Sequence, residues 1–340
     1  MTPVRFGLIG CGKIAQRFAQ VLAKLPGAVL AGVASRTPDG ARAFGERHGV
    51  PWFASAGDLL AQAGVQVACV LTPSGAHADA AVAAARAGCH VVVEKPIALT
   101  LADADRMIAA ADEAQVKLFV VKQNRWNRAV LRLKAAVDAG RFGKLVLGAV
   151  RLRWCREQAY YEQAAWRGTA ALDGSVLANQ ASHHVDLLRW LMGEPAAVSA
   201  MTAARLARIE TADTAGAVIR FRSGALGIVE ATTGARPRDL EGSLSLLGER
   251  GSVELGGFTA GEVRTWQFVE PEPDDARVQE ESQTPAELAG YGHARFLAAV
   301  VACVRGEGPA PLEGREARKT LELVVAMERA ARSGQEERLG

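Results

Sequence analysis

The sequence Val4-Arg5-Phe6-Gly7-Leu8-Ile9-Gly10-Cys11-Gly12-Lys13-Ile14-Ala15, close to the start of the chain, joins an apolar run to a helical pattern through a glycine-rich turn. The run has the character of a buried strand. A G-x-G-x-x-A pattern between a strand and a helix allows a tight turn and brings exposed N–H groups of the helix start to a pyrophosphate. The stretch therefore predicts a dinucleotide-binding turn, with cofactor contacts from Gly10, Cys11, Gly12, Lys13 and Ile14.

Strands and helices continue to alternate through the first third of the chain. Further apolar runs, each beside a helix-like segment, are Val29–Ala34, Gln66–Leu71, His90–Val93 and Leu118–Val121. Such alternation implies right-handed crossovers and a parallel sheet covered on both faces. We therefore predict an α/β fold that begins with a dinucleotide-binding domain over residues 1–122, a doubly wound parallel sheet of the Rossmann type.

The pattern changes after about residue 123, where strand-like runs follow one another directly. They are Leu145–Trp154, Ala197–Leu206, Thr214–Arg222, Gly227–Thr232, Ser243–Gly248 and Ser252–Leu255. Consecutive strands joined by turns are typical of antiparallel sheets. Residues 123–340 are therefore predicted to form an α+β domain with a largely antiparallel open sheet, which binds substrate and mediates oligomerisation.

Composition excludes several classes of protein. The 340 residues include 40 Lys and Arg against 37 Asp and Glu, a formal net charge of +3. That balance lacks the basic excess that would neutralise many phosphates, so no nucleic-acid partner is expected. The five scattered cysteines form no CxxC pair, which predicts reduced thiols and no metal site. Because no signal peptide or apolar run of roughly 18 residues is present, we expect a cytoplasmic protein without a membrane partner.

The end of the second predicted strand bears on which dinucleotide is bound. It reads Ala34-Ser35-Arg36-Thr37, with no carboxylate before Asp39 to bind the ribose 2′-hydroxyl of NAD. The hydroxyl of Ser35 and the guanidinium of Arg36 suit a 2′-phosphate. An exposed arginine stacked on adenine would also permit NAD. The sequence therefore allows NAD or NADP and slightly favours NADP.

Two polar segments directly follow apolar runs of the first domain. Thr72-Pro73-Ser74, with His77 after it, follows one run, and Glu94-Lys95-Pro96 follows the next. The carboxyl ends of the strands of an open α/β sheet form the edge where ligands bind. These positions predict that Lys95 lies near the nicotinamide end of the cofactor.

The glycine-rich turn, the TP…H segment and the EKP segment together resemble the Gfo/Idh/MocA oxidoreductases. The resemblance continues through Lys122-Gln123-Asn124-Arg125-Trp126-Asn127, Trp166-Arg167-Gly168 and Asn179-Gln180-Ala181-Ser182-His183-His184-Val185-Asp186, and so covers most of the chain. Within the family, these segments and Leu240-Glu241-Gly242-Ser243 are similar to the bacterial UDP-N-acetylglucosaminuronate 3-dehydrogenases. That resemblance implies oxidation of a sugar C3 hydroxyl on the route to diacetamido-uronic acids of surface polysaccharides.

The resemblance and the strand-edge positions together imply a set of contacts. Cofactor contacts are expected from Ser35, Arg36, Thr72, Pro73, His77, Glu94, Lys95, Gln123, Trp166 and Arg167. Substrate contacts are expected from Lys95, Asn124, Arg153, Asn179, Gln180 and His183. An anionic sugar nucleotide is the expected ligand, 2-oxoglutarate is a candidate for recycling the cofactor, and a homodimer or homotetramer that packs through the open sheet is expected.

Oxidation of a secondary alcohol requires a base for the hydroxyl proton. Lys95 and His183 are the candidates, and the sequence leaves open which of them takes the proton; the resemblance implies that His183 does. Asp186, one turn after His183, could orient the imidazole or could be structural. Many relatives carry an aspartate where Asn179 stands, and because an amide cannot relay a proton, Asn179 is interpreted as a substrate-binding group.

Three alternatives remain open at this stage. One is another dehydrogenase of the same family that acts on a free sugar or inositol. Asn179 argues against it, as do the arginines of the second domain, which are Arg125, Arg151, Arg153, Arg156, Arg167, Arg236 and Arg238. Another is a dinucleotide-sensing regulator without catalysis, against which Lys95 and His183 argue. The third is a glycosidase that uses bound NAD for transient oxidation at C3, which would share the cofactor and the hydride step.

Overall fold

The computed structural model of the chain describes residues 2–340. The chain divides into two compact units. The first contains the residues up to Gln123 together with His293–Lys319, and the second contains Asn124–Gly292 and Thr320–Gly340. The sequence interpretation placed every residue after 122 in one domain, whereas the structure groups His293–Lys319 with the first unit.

The first unit is built on a six-stranded sheet in the order β3-β2-β1-β4-β5-β6. Every strand pair in it is parallel. The strands are β1 (Val4–Ile9), β2 (Ala28–Ala34), β3 (Trp52–Phe53), β4 (Val67–Val70), β5 (His90–Val93) and β6 (Leu118–Val120). The intervening helices are α1 (Lys13–Leu22), α2 (Pro38–His48), α3 (Ala56–Gln62), α4 (His77–Arg86) and α5 (Leu101–Glu113). This confirms the predicted doubly wound parallel sheet.

The strand order indicates which part of this sheet binds ligands. β1 pairs with β2 on one side and with β4 on the other, so the direction of winding reverses between β1 and β4. In such sheets the carboxyl ends of the strands at the reversal form a crevice for ligands. The turn after β1 and the segments after β4 and β5 lie at this edge, where the sequence analysis placed the cofactor.

The second unit is built on an eight-stranded sheet in the order β13-β12-β11-β7-β10-β9-β8-β14. Only β7 and β10 pair in parallel, so the predicted largely antiparallel sheet is confirmed. Its strands are β7 (Leu145–Arg153), β8 (Pro195–Ala203), β9 (Thr214–Phe221), β10 (Leu226–Thr232), β11 (Glu241–Gly248), β12 (Gly251–Gly256), β13 (Glu262–Phe268) and β14 (Glu337–Arg338).

The remaining helices are α6 (Arg128–Asp138), α7 (Gln158–Glu162), α8 (Ser182–Met192), α9 (Pro285–Leu288), α10 (Tyr291–Val304) and α11 (Gly314–Ser333). Short 3₁₀ turns occur at Ser74–Ala76, Gln123–Trp126 and Pro273–Glu281. Across residues 2–340, no helix has the length and apolar character needed to cross a membrane.

The two faces of the second sheet differ. Helix α8 packs against one face, where a Cβ on Gly148 of β7 would lie 2.8 Å from side-chain atoms of Leu188 and Met192. On the other face Val218 and Ile228 are cross-strand partners and both are exposed. The sheet is therefore open on one face, because the described residues of the unit cover only the side that carries α8.

Candidate functional site

The turn after β1 has the backbone geometry that a pyrophosphate requires. Gly10 has φ of 110°, and a Cβ there would lie 2.7 Å from the carbonyl oxygen of Leu71, so only glycine fits. Gly12 caps α1 with no side-chain hydrogen bond, and no atom lies within 4 Å of the position its Cβ would take. The space beside Gly12 at the start of α1 is thus open, which fits the pyrophosphate of a dinucleotide at the N-terminus of the helix.

The end of β2 carries the two residues that the sequence analysis assigned to the adenosine ribose. Ser35 is half-buried and Arg36 is exposed. Asp39, the first carboxylate after the strand, pairs with Arg42 at 3.0 Å. Arg36 has no hydrogen-bond or ion-pair partner among the described residues. Its guanidinium is therefore available to a ligand at this edge.

His77 connects the segments that follow β4 and β5. Its Nδ1 lies 2.9 Å from the carbonyl oxygen of Pro96, and its Nε2 lies 2.9 Å from that of Thr72. The ring is 1% exposed, and burial lowers its pKa although the carbonyl contacts oppose that change. His77, which the sequence analysis grouped with the cofactor contacts, therefore lies beneath the two loops and holds them together.

Glu94 is a buried carboxylate next to Lys95. Its Oε2 accepts the backbone N–H of Lys95 at 3.0 Å, and its Oε1 lies 3.5 Å from Nε2 of His293. Burial alone would raise the pKa of Glu94, but His293 and Lys95 outweigh it and the pKa is lowered. Sequence reasoning missed His293, because the lone histidine lies in an apolar helix about two hundred residues away from the EKP segment.

The second unit carries most of the residues that the sequence analysis assigned to the substrate. Gln123 ends the first unit, and Asn124, which is buried, begins the second. Asn179 is half-buried, and Gln180 and His183 are buried at the start of α8. Lys95 therefore belongs to the first unit and His183 to the second.

His184, which follows His183, packs against the ring of Trp154. Its ring lies 6.1 Å from that of Trp154 in an edge-on arrangement. Burial lowers the pKa of His184 to about 4, so the imidazole is neutral near pH 7. The position agrees with a structural role.

Asp186 is held by groups of the second unit. Arg125 donates to Oδ2 of Asp186 from Nε at 2.7 Å and to Oδ1 from Nη2 at 2.9 Å. The hydroxyl of Thr320 donates to Oδ1 at 2.8 Å. The sequence left open whether Asp186 orients the imidazole of His183 or has a structural role, and this geometry favours the structural role.

Arg167 lies close to two aromatic rings. Its guanidinium carbon is 4.3 Å from the ring centroid of Tyr160 and 4.7 Å from that of Trp166. Arg156, whose guanidinium carbon is 5.4 Å from the same Tyr160 ring, pairs with Asp239 at 2.9 Å. Arg167 has no ion pair among the described residues, and its Nε is buried without a hydrogen-bond partner. Arg167 is thus the guanidinium of this group whose charge is uncompensated.

Arg153 lies on the open face of the second sheet. It shares a face of β7 with Arg151, as strand alternation predicts, but that face is opposite the one covered by α8. Its guanidinium donates to both oxygens of Glu230, at 2.6 and 2.9 Å, and lies 3.3 Å from Glu241. Within the second unit, the structure separates Arg153 from the helix that carries His183.

Asp173, which no motif pointed to, connects two of the predicted segments. Its Oδ2 accepts the backbone N–H of Gly168 at 2.7 Å, and its Oδ1 accepts a hydrogen bond from Nδ2 of Asn179. The turn that carries Trp166 and Arg167 is thereby joined to the segment that leads into α8. The sequence carried no signal for this role, because the burial of Asp173 is seen only in the folded unit.

Comparisons with known proteins identify the chain's relatives. Residues 4–122 match the oxidoreductase family described as having an NAD-binding Rossmann fold, and residues 130–254 match the Gfo/Idh/MocA C-terminal domain. Myo-inositol 2-dehydrogenase of Thermotoga maritima is 30% identical over 233 residues, which cover 67% of this chain and 68% of that protein.

Two solved structures are similar over the full length of the chain. The WlbA dehydrogenase of Chromobacterium violaceum, in complex with NADH and UDP-GlcNAcA, is 40% identical with a TM-score of 0.95, covering 100% of this chain and 97% of that one. The WlbA dehydrogenase of Bordetella pertussis, in complex with the same ligands, is 40% identical with a TM-score of 0.97, covering 100% and 98%. The chain therefore belongs to the Gfo/Idh/MocA oxidoreductase family.

Proposed function

We propose that the protein oxidises the C3 hydroxyl of UDP-N-acetylglucosaminuronate by hydride transfer to NAD. The observation that carries this proposal is the 40% identity, over the whole chain, to two dehydrogenases whose structures contain NADH and UDP-GlcNAcA. The identity to myo-inositol 2-dehydrogenase is lower, at 30%, and extends over 67% of the chain. A sugar nucleotide is therefore a better supported substrate than a free polyol.

The proposed reaction divides between the cofactor and two side chains. When bound, NAD would supply the hydride acceptor for the conversion of the C3 hydroxyl to a ketone. His183 takes the hydroxyl proton, because an imidazole can act as a general base and a positioned base contributes directly to such a step. Lys95 hydrogen-bonds the reacting oxygen, and its position at the carboxyl end of β5 supports this assignment.

The charge of the proposed substrate is matched by Arg167. A UDP-sugar acid carries a diphosphate and a carboxylate, and a guanidinium binds either with two parallel hydrogen bonds. Arg167 contacts the rings of Tyr160 and Trp166 and has no carboxylate partner among the described residues. A neutral polyol would leave this charge uncompensated, which supports an anionic substrate.

NAD is the proposed dinucleotide. The family model matched by the first domain is NAD-binding, and both WlbA structures carry NADH. The slight preference for NADP rested on Ser35 and Arg36. We propose that the exposed guanidinium of Arg36 at the end of β2 permits NAD and would add binding energy only to the 2′-phosphate of NADP.

The open face of the second sheet is proposed to bind another copy of the chain. Val218, Leu226 and Ile228 are 51%, 44% and 40% exposed on neighbouring strands. Contiguous exposed apolar side chains usually mark an interface, and most homo-oligomers are closed and symmetric. A homodimer or homotetramer is the proposed assembly. The proposed pathway of the enzyme is the biosynthesis of surface polysaccharides.

The test is turnover of the purified protein with UDP-N-acetylglucosaminuronate, in the presence and in the absence of 2-oxoglutarate. The product is followed by mass spectrometry as a species two hydrogen atoms lighter, because NADH that is reoxidised by 2-oxoglutarate would give no net absorbance change. Myo-inositol serves as the competing substrate. Absence of turnover under both conditions, or a higher kcat/KM for inositol, would overturn the proposal.

A further inference from the structure

The side chain of Asp173 is 1% exposed, and both of its oxygens act as acceptors. One accepts the backbone N–H of Gly168, and the other accepts the amide Nδ2–H of Asn179. The first bond reaches the turn that holds Arg167, and the second reaches a residue four positions before His183. A single buried carboxylate therefore connects the two segments that are proposed to hold the substrate.

The Gly168 end of this connection is rigid. Gly168 has φ of 71°, and a Cβ there would lie 2.4 Å from Cγ2 of Ile209. The N–H that Asp173 accepts is thus held in a conformation that a side chain would disrupt. The carboxylate is anchored on one oxygen, so the position of its second oxygen is defined as well.

The second oxygen determines how the Asn179 amide is turned. An amide has a donating nitrogen and an accepting oxygen, and only the nitrogen can bond to an acceptor. With Nδ2 bonded to Asp173, the carbonyl oxygen Oδ1 faces away from it. Any group that meets Asn179 on that side has to be a donor, such as a hydroxyl, an amide N–H or an ammonium.

We propose that Asp173 is a positioning residue that holds the Asn179 amide with its carbonyl oxygen toward the substrate, so that Asn179 selects a substrate with a hydrogen-bond donor beside the reacting carbon. This inference rests on the proposed function. In this chain Asn179 lies toward the substrate and Asp173 lies on its other side. Asn179 therefore offers an acceptor to the substrate only when its Nδ2 is bonded to Asp173.

Three variants test the inference with UDP-N-acetylglucosaminuronate as the substrate. The two donors meet different oxygens of Asp173, and Asp173→Asn replaces one of these acceptors with a donor. The amide of Asn179 is then released and kcat/KM falls by about tenfold or more. In the exchanged double variant, Asp173→Asn with Asn179→Asp, the new amide accepts from Gly168 and donates to the new carboxylate. That carboxylate keeps an acceptor toward the substrate, so kcat/KM returns to within about threefold of wild type.

The third variant, Asn179→Asp alone, provides a different readout. It places two carboxylates at hydrogen-bond distance, where one has to keep a proton. The pair then carries a raised apparent pKa, and the rate falls as the pH rises through it, a step that the wild-type profile lacks. Asp138→Asn, an exposed aspartate on α6 that pairs with Lys134, is the matched control and should change neither kcat nor KM.

Each outcome decides the inference. A wild-type rate in Asp173→Asn, or an exchanged variant no faster than Asp173→Asn, overturns it while the proposed function stands. If circular dichroism shows that Asp173→Asn does not fold, an Asn179→Asp profile identical to that of the wild type overturns it. A wild-type protein that does not oxidise the substrate overturns the proposed function and this inference together.

Discussion

The guanidinium of Arg125 donates two hydrogen bonds to the carboxylate of Asp186, at 2.7 and 2.9 Å, in the interior of the second unit. The same guanidinium carbon lies 4.6 Å from the ring centroid of Trp190. The pair joins the segment after β6 to α8. His183 lies on the same helix, so the pair contributes to holding the helix that carries the proposed base.

Breaking this pair should destabilise the protein strongly. Arg125→Met leaves a buried carboxylate without its charge partner, which costs about 3–5 kcal/mol of the free energy of unfolding. Urea denaturation followed by circular dichroism measures the loss. The double variant Arg125→Met with Asp186→Leu should recover part of it, because no unpaired charge remains. A loss below about 1 kcal/mol, the range of exposed pairs, would contradict the assignment of this pair as a structural one.

Acid should destabilise the fold partly through His184. Its pKa is about 4 in the folded protein against an ordinary value of 6.5, so the unfolded chain binds the proton more readily. This contribution is therefore complete above about pH 6.5 and is lost as the pH falls toward about 4, by roughly 3 kcal/mol in total. Unfolding free energies measured by urea across this range should fall less steeply in His184→Gln. Equal slopes in the two proteins would contradict the prediction.

Lys95→Ala and His183→Ala should separate catalysis from cofactor binding. Loss of a positioned base lowers kcat by about 100- to 10,000-fold. NAD affinity, followed by quenching of tryptophan fluorescence, should stay close to the wild-type value, because the glycine turn at Gly10 and Gly12 is unaltered. If both variants keep wild-type rates, neither residue has the proposed role.

Arg167 should contribute mainly to substrate affinity. Arg167→Met removes the uncompensated guanidinium, and the KM for UDP-N-acetylglucosaminuronate should rise by about tenfold or more, the effect of a lost charge-assisted hydrogen bond. Arg167→Lys should recover little of the affinity, because an ammonium lacks the planar fork. The matched control is Arg208→Met, an exposed arginine of the same unit. Comparable KM values for Arg167→Met and the control would count against the role.

Arg36 should discriminate between the two dinucleotides. Arg36→Leu removes the only cation at the end of β2 that the sequence offers to a 2′-phosphate. Dissociation constants measured by fluorescence for both cofactors should show a loss of about tenfold or more for NADP and a change of at most about threefold for NAD. Equal losses would show that Arg36 does not recognise the 2′ position.

Much of the fold could be predicted from local pattern. The parallel sheet of the first unit followed from apolar runs that alternate with helical segments, and the antiparallel sheet followed from consecutive strands. The glycine turn was located because its backbone can adopt the conformation seen at Gly10, where φ is 110°. The positions of Thr72 and Lys95 followed from the rule that ligands meet the carboxyl ends of parallel strands.

Contacts between distant side chains could not be predicted in this way. Strand alternation placed Arg151 and Arg153 on one face, but which face α8 covers depends on how the helix packs on β7. Likewise, the pairing of Glu94 with His293 and the inclusion of His293–Lys319 in the first unit depend on long-range packing. Neither segment contains a local sequence pattern that indicates its contact with the other.

The sequence by itself determined the fold class, the dinucleotide turn and the family, because turns, strand alternation and helical periodicity are properties of neighbouring residues. Only the tertiary structure decided which polar groups are committed to one another: Asp186 to Arg125, His77 to the loops around it, and Asp173 to Asn179. The physical reason is that a buried polar group must find its hydrogen-bond partner wherever packing places one, and packing is a property of the whole unit.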